Sequence, residues 1–255
     1  MRGAWAALRG AYAELWANPR ALGLQVVIMV VNDLAWIGFW WVFFQRVGSV
    51  RGWDFDAVLL LWASLATVAG LVLGLLGNAR RIAWLVLDGG LDAVLSLPVH
   101  PLPYLLLRRI DATFVGDVVF GVALFAVTGD PTPERVLRFV VAVACGTLLL
   151  AGFLVLVESA VFFNGSGRVG ELGFDAVVLL ASYPVDVFSG VARLALYTLV
   201  PAAFVAAVPA RFVDRADLGT GLSLLAAGVA FATLGWAAFT FGLRRYTSGS
   251  AWVRP

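Results

Sequence analysis

Six stretches of this sequence, 22–44, 57–76, 110–127, 139–157, 187–208 and 218–243, are each long, apolar and almost free of charge. A bilayer core about 30 Å thick takes roughly 20 helical residues to cross, so these runs predict six transmembrane helices. Barrel strands are excluded because they show about ten residues of alternation, not continuous apolar runs. The fifth run is the least regular: 174–183 is apolar but too short to span, and Pro184 interrupts it. The span is therefore expected over 187–208, with Arg193 inside it and 174–183 as a short lead-in helix. Hydrophobic residues make up 62% of the chain and charged residues 13%, against roughly 25% charged in a soluble domain. A water-soluble enzyme is excluded, and the expected class is an all-α integral membrane protein.

Residues 1–21 differ from the rest. Trp5, Leu8, Tyr12, Leu15 and Trp16 recur three and four apart, with Arg2, Arg9, Glu14, Asn18 and Arg20 on or near the other faces. That pattern predicts an amphipathic helix in the membrane interface, followed by a six-span membrane domain over 22–255. Six spans put both termini on one side. With the N-terminus inside, the cytoplasmic segments hold Arg2, Arg9, Arg20, Arg80, Arg81, Arg108, Arg109, Arg168, Arg244, Arg245 and Arg254, and the outside holds Arg46, Arg51, Arg135, Arg138, Arg211 and Arg215. The positive-inside rule then places both ends in the cytoplasm of a multi-pass inner-membrane protein. Asn164-Gly165-Ser166 falls on the cytoplasmic side and reads as a turn.

Several chemistries are excluded by what the chain lacks. All 18 cations are arginine, and a phosphate-binding loop of the Gly-Lys-Ser/Thr type needs its lysine, so any ATP-driven work falls to a partner. This all-arginine usage is consistent with a GC-rich bacterial coding bias. The net charge of +2 has no cationic run beyond a pair, which does not suggest nucleic-acid binding. A single histidine, His100, and a single cysteine, Cys145, leave no histidine-rich metal site, no serine–histidine dyad and no internal disulfide. No catalytic residue and no metal site are expected.

The most patterned connection is 80–109, between spans two and three. It is bracketed by Arg80-Arg81 and Arg108-Arg109, carries Leu85, Asp88, Gly89, Gly90, Leu91, Asp92, Leu95 and Leu97, and closes on Pro98, Pro101 and Pro103. This predicts a short helix on the membrane surface, stopped by prolines that lack the amide donor and fix φ. Such a helix is a rigid handle for a partner. The segment Gly90-Leu91-Asp92, Leu95, Pro98, Pro101-Leu102 resembles the G-x-L-D-x-x-L-x-x-P-x-x-P-L motif of six-span ABC-2-type ABC transporter permeases. Tyr183-Pro184, Phe188, Arg193, Pro201 and Pro209 resemble a second pattern of that family, entering span five. One position departs: the family often has arginine where this chain has Leu97. The resemblance implies the membrane subunit of an ABC exporter for a drug, lipid or glycan. It implies a second permease, identical or related, and cytosolic ABC ATPase subunits carrying ATP and Mg, with no cofactor on this chain. Gly90, Leu91, Asp92, Leu95, Pro98 and Pro101 would then be the ATPase-coupling residues.

Polar residues inside spans are costly, on the order of 3 kcal/mol for a charge near the bilayer centre. Asn32, Asp33, Asp117, Glu158 and Arg193 should therefore face protein or water, and Arg193 is expected to pair with Glu158. An alternative is that Asp33 and Asp117 line the path of an ion-coupled secondary transporter, and a third class is a membrane scaffold that transports nothing. Gly70 and Gly74 form a GxxxG pair, and Gly221, Gly228, Gly235 and Gly242 recur every seven residues in span six, predicting a groove for close helix packing. Its occupant is left open between this chain and a second copy. Trp36, Trp40 and Trp41 are expected as interfacial anchors.

Overall fold

In the computed structural model, residues 18–110 and 115–247 are described. The interfacial helix expected over 1–21 lies outside them except at its last residues. There Pro19 already opens the first long helix, α1 (Pro19–Val47). The chain continues through α2 (Phe55–Leu75), a 3-10 turn (Gly77–Arg80), α3 (Ile82–Leu87), α4 (Gly90–Leu95), α5 (Pro101–Leu107) and α6 (Val115–Val127). It then forms α7 (Pro133–Glu158), α8 (Val161–Asn164), α9 (Arg168–Ala181), a 3-10 turn (Val185–Val187) and α10 (Gly190–Thr198). A π-helical turn (Ala203–Ala207) runs into α11 (Val208–Asp214), and α12 (Leu218–Leu243) ends the described bundle. No β-strand occurs among the described residues.

Four helices among these residues are long and apolar enough to cross a membrane: α1, α2, α7 and α12. α6 has 13 described residues, about 20 Å at 1.5 Å per residue, and residues 111–114 before it are outside the description. α1 and α12 present Leu24, Val27, Ile28, Val31, Leu222, Leu225 and Val229 outward. Such faces suit lipid and not water.

Helix starts follow capping chemistry. Asp54 Oδ1 accepts the Ala57 N–H, Thr132 Oγ1 accepts the Arg135 N–H, and Asp217 Oδ2 accepts both the N–H and the hydroxyl of Thr220. Those two Thr220 bonds hold the Asp217 carboxyl below its usual range. Asp54, Asp217 and Arg135, the partner of Thr132, line one shared cavity at one end of the bundle, which defines the far end. Residues 80–109 lie at the near end, together with Glu158 and the Phe162–Tyr246 ring pair.

α2 runs through the core, with Val58, Leu61, Val68 and Val72 fully buried. Small residues set how closely its neighbours approach. A side chain at Gly121 would overlap Thr67, and one at Gly146 would meet Val68 Cγ2 at 2.9 Å. The open question of the span-six groove is resolved within the chain. Gly228 faces the Cys145 carbonyl, Gly235 lies on the Gly152 carbonyl and Gly242 on the Phe162 ring, while Gly221 meets Phe212. The groove is thus filled by α7 and its flanks, and is not free for a second copy. Gly70 and Gly74 are buried in α2. Of the three tryptophans expected as anchors, Trp36 stacks on Trp62 at 5.5 Å and Trp40 is buried edge-on to Tyr183, so both are packing residues. Trp41 remains outward.

The fifth span departs most from expectation. A continuous helix over 187–208 is absent: α10 and the stretch Ala203–Asp214 are bent by 67° across a break. Pro201 sits in that break and cannot donate an amide hydrogen bond. The lead-in expected over 174–183 is instead the longer α9, whose Arg168, Glu171 and Asp175 share one exposed face. Gly167, just before α9, lies beside Ala83 at the near end. Tyr183, just after it, packs on Trp40, and Asp186 bonds to Trp53 and Arg51 at the far end. Residues 168–186 therefore run from one end of the bundle to the other. Residues 186–215 both begin and end at the far end, since Asp214 and Arg215 line the same cavity as Arg51 and Asp54.

Candidate functional site

The connection 80–109 is built as three short helices and not as the single surface helix expected. α3 buries Ile82, Ala83 and Leu85, then stops at Gly89, whose φ of +74° lies in the left-handed region that favours glycine. Gly90 opens α4 tightly against Leu85, where an added Cβ would come within 3.0 Å of Leu85 Cδ2. α4 turns Leu91 and Val94 inward, and both are fully buried. Leu95 and Leu97 are each 38% exposed, and Pro98 beside them is also exposed. Pro101, expected to help stop a helix, instead starts α5 at a position where its missing N–H costs nothing.

The six sequence-singled residues therefore divide. Leu91 is an internal anchor, Gly90 a close-packing hinge and Pro101 a helix start. Asp92 is half-buried in the first turn of α4, where a carboxylate suits the helix dipole. Only Leu95 and Pro98 stand clear at the tip.

What holds this unit to the bundle was not legible in sequence. Short helices leave their first N–H and last C=O groups without partners. Here the bundle supplies two of them. Glu158 Oε2, at the end of α7, accepts the Ala83 N–H of the first turn of α3 at 2.8 Å. Asn78 Nδ2 donates to the Leu105 carbonyl in the last turn of α5 at 2.8 Å. Ile82, Leu85, Leu91, Val94, Leu102 and Leu105 then form one apolar cluster with Val155 of α7 and Phe239 of α12. The His100 ring stacks on Trp236 of α12, with centroids 4.6 Å apart. Replacing Asn78 by Leu leaves the Leu105 carbonyl buried without its donor, an expected loss of about 1–3 kcal/mol. A fall in apparent Tm in detergent, with faster amide exchange confined to 101–109, is the result that checks it.

The pairing expected between Arg193 and Glu158 is not formed. Glu158 sits at the near end, whereas Arg193 on α10 sits at the far end and binds Asp186 Oδ1 at 2.8 Å. Asp186 is the hub of that end. Its Oδ2 also takes Arg211 and accepts the Trp53 Nε1–H at 2.7 Å, while Arg51 Nη1 donates to its backbone carbonyl at 2.7 Å. The sequence reading passed over Asp186. Its placement just after Tyr183-Pro184, with arginines on both later arms, is the signal that points to it. The neighbouring cavity has a volume of about 600 Å³ and is lined by Arg51, Asp54, Asp56, Arg135, Arg211, Asp214, Arg215 and Asp217. Arg135 is tied back to Thr128 and Gly129 and lies over Phe125.

Asp33 and Asp117 are buried, each 6% exposed, and Asp33 Oδ2 and Asp117 Oδ1 have no hydrogen-bond partner among the described residues. α1 and α6, which carry them, touch closely at Gly116 and Val26. Asn32, beside Asp33, faces outward. No group of three metal-ligating side chains occurs among the described residues.

Searches of curated proteins and of solved structures return no match to this chain. The family model described as "ABC-2 family transporter protein" matches residues 29–250, which takes in α1 from residue 29 onward, the other long helices, the docked three-helix unit and the far-end hub. The chain is thus a multi-pass membrane protein of the ABC-2 transporter family, whose members are transport subunits and not enzymes in their own right.

Proposed function

We propose that this protein is the permease subunit of an ATP-driven exporter in a bacterial cytoplasmic membrane, with residues 80–109 receiving the stroke of a cytosolic ABC ATPase. The observation that carries the reading is the docked three-helix unit, anchored by Glu158, Asn78 and Leu91 while Leu95, Leu97 and Pro98 stay exposed. A unit held at both ends transmits a push; a solvated loop absorbs it. The absence of lysine from the sequence supports a borrowed ATPase. ATP and Mg would sit on that partner, and a second permease of the same or a related kind would complete the pathway. The substrate class is a drug, lipid or glycan.

The crossings in this reading are α1, α2, 110–127, α7, 168–186 and α12, with 187–215 a re-entrant pair on the outer side. This keeps both termini cytoplasmic. It moves Arg193 from within a span to the outside, and eleven arginines still lie inside against seven outside. The burial of Asp33 and Asp117 with unpartnered oxygens favours a second reading, ion-coupled transport without an ATPase.

The test is co-expression with the ABC ATPase encoded nearest the gene, then detergent pull-down of the wild type and of Leu95→Glu/Leu97→Glu. Both side chains are exposed, so the variant is expected to fold and to lose at least about 90% of the retained ATPase, the effect of charging the centre of an apolar contact. If the folded wild type retains no ATPase, while Asp33→Asn/Asp117→Asn abolishes transport driven by a proton gradient, the second reading replaces the first.

A further inference from the structure

Glu158 is 3% exposed and sits where three helices meet. It is the last residue of α7. Its Oε2 accepts the Ala83 N–H of α3, the first helix of the docked unit. Its Oε1 occupies the space left by the missing side chain of Gly170 on α9, where an added Cβ would overlap it. One turn on, Gly173 packs against Val157, with an added Cβ only 3.0–3.2 Å from that side chain. Arg80, at the start of the docked unit, and Glu171, on α9, are the charged groups that act on it. One carboxyl thus ties α7, α9 and α3 together.

Burying a carboxyl costs free energy that a leucine of similar size would not. What the carboxyl adds is direction. An apolar contact slides, whereas a 2.8 Å hydrogen bond to a backbone amide fixes the first turn of α3 relative to the end of α7. The apolar cluster beneath the unit, Leu91 with Val155 and Phe239, fixes its depth but not its rotation.

We propose that Glu158 is the positioning residue through which movement of the docked unit is passed to α7 and α9. The proposal rests on the exporter reading, and its warrant is contact between parts that must move together. The glycine at 170 is part of the same joint, because only a residue without a side chain leaves room for the carboxyl.

The test has one arm that needs no ATPase and one that does. In the permease alone in lipid nanodiscs, amide exchange is followed at Ala83. Glu158→Ala is expected to speed it at least about tenfold, as expected when a protecting bond is lost, with 139–150 unchanged. Glu158→Gln keeps an acceptor oxygen and is expected to stay near wild type. Gly170→Ala displaces the carboxyl and is expected to match Glu158→Ala, and the double variant to be no faster than Glu158→Ala alone, the non-additivity of a shared contact. In the complex with the ATPase, Glu158→Ala and Gly170→Ala are expected to change kcat for ATP at least about threefold, about 0.7 kcal/mol, with KM and ATPase retention unchanged and Glu158→Gln normal. Unchanged protection at Ala83 overturns the joint itself. Faster exchange with an unaltered kcat in a complex that forms normally reduces Glu158 to a structural peg. If the wild type retains no ATPase, the exporter reading fails first and this proposal with it.

Discussion

Substituting Gly152 by Leu is expected to cost at least about 3 kcal/mol and to collapse the yield of monodisperse protein. The atoms around an added Cβ at Gly152 are the Ala232 nitrogen and the Phe231 carbonyl, all backbone of α12. Backbone inside a helix cannot swing aside as the end of a side chain can, so the two helices must separate. The contact recurs at Gly228 on Cys145, Gly235 on Gly152 and Gly242 on Phe162. From 228 to 242 that is about 21 Å of helix at 1.5 Å per residue, so forcing α7 and α12 apart at the middle loosens the whole line. Gly152→Ala is expected to lose about 2 kcal/mol, since even one methyl overlaps. Gly38 on α1 is the control: it has nothing within 4 Å of an added Cβ, and Gly38→Ala is expected to be neutral or stabilising by up to about 1 kcal/mol. Apparent Tm in one detergent orders the three variants. Equal losses at Gly38 and Gly152 would contradict the packing account.

Asp186→Ala is expected to release the far end without unfolding the bundle. One carboxylate holds Arg193, Arg211 and the Trp53 N–H, and Arg51 binds its carbonyl. Without it three guanidinium groups face one another. The Arg193 and Arg211 side chains are 45% and 42% exposed, so solvent screens the loss to about 1–2 kcal/mol. The local effect is larger than that figure suggests, because α10 and α11 have few other polar ties to the outer loop. The sequence gives a direct readout: with no lysine, trypsin can cut only after arginine. Cleavage after Arg193 and Arg211 is expected to accelerate at least about tenfold in Asp186→Ala, the signature of local opening, with cleavage after Arg80 and Arg168 unchanged. Uniform acceleration at all four would instead mean that Asp186 supports the entire fold.

The all-helical membrane class was legible because it depends on composition along the chain. A run such as 139–157 carries no charged side chain and a single hydroxyl, Thr147, so lipid and helix are dictated locally. The caps Asp54, Thr132 and Asp217 are equally local, each bonding three residues ahead. The family-like motif at 90–102 was legible by its glycine, acid and proline spacing. Its division into an anchor, Leu91, and a tip, Leu95 and Pro98, was not, because which face of a short helix turns inward depends on what lies beneath it.

Residues 168–215 show the limit most clearly. Arg168, Glu171 and Asp175 interrupt hydropathy on one face of α9, while the apolar 187–208 stretch has the length of a span. Counting along the sequence therefore favours 187–208 as a straight passage, whereas the structure bends it by 67°. The far-end contacts of Asp186 with Arg51 and Trp53, more than 130 residues away, are equally invisible to such counting. Arg193 likewise binds Asp186, which lies before it in the same far-end arm, and not Glu158 at the near end.

By itself the sequence determined the solvent, the all-helical class, the lack of a phosphate-binding lysine and the place of the family-like motif, since each follows from side-chain chemistry read within a few residues. The tertiary structure alone decided that the span-six glycines pack on α7, that Glu158 joins the docked unit to two helices, and that Asp186 gathers three arginines. Those are pairings between distant residues, and a linear pattern carries the need for a partner but not its identity.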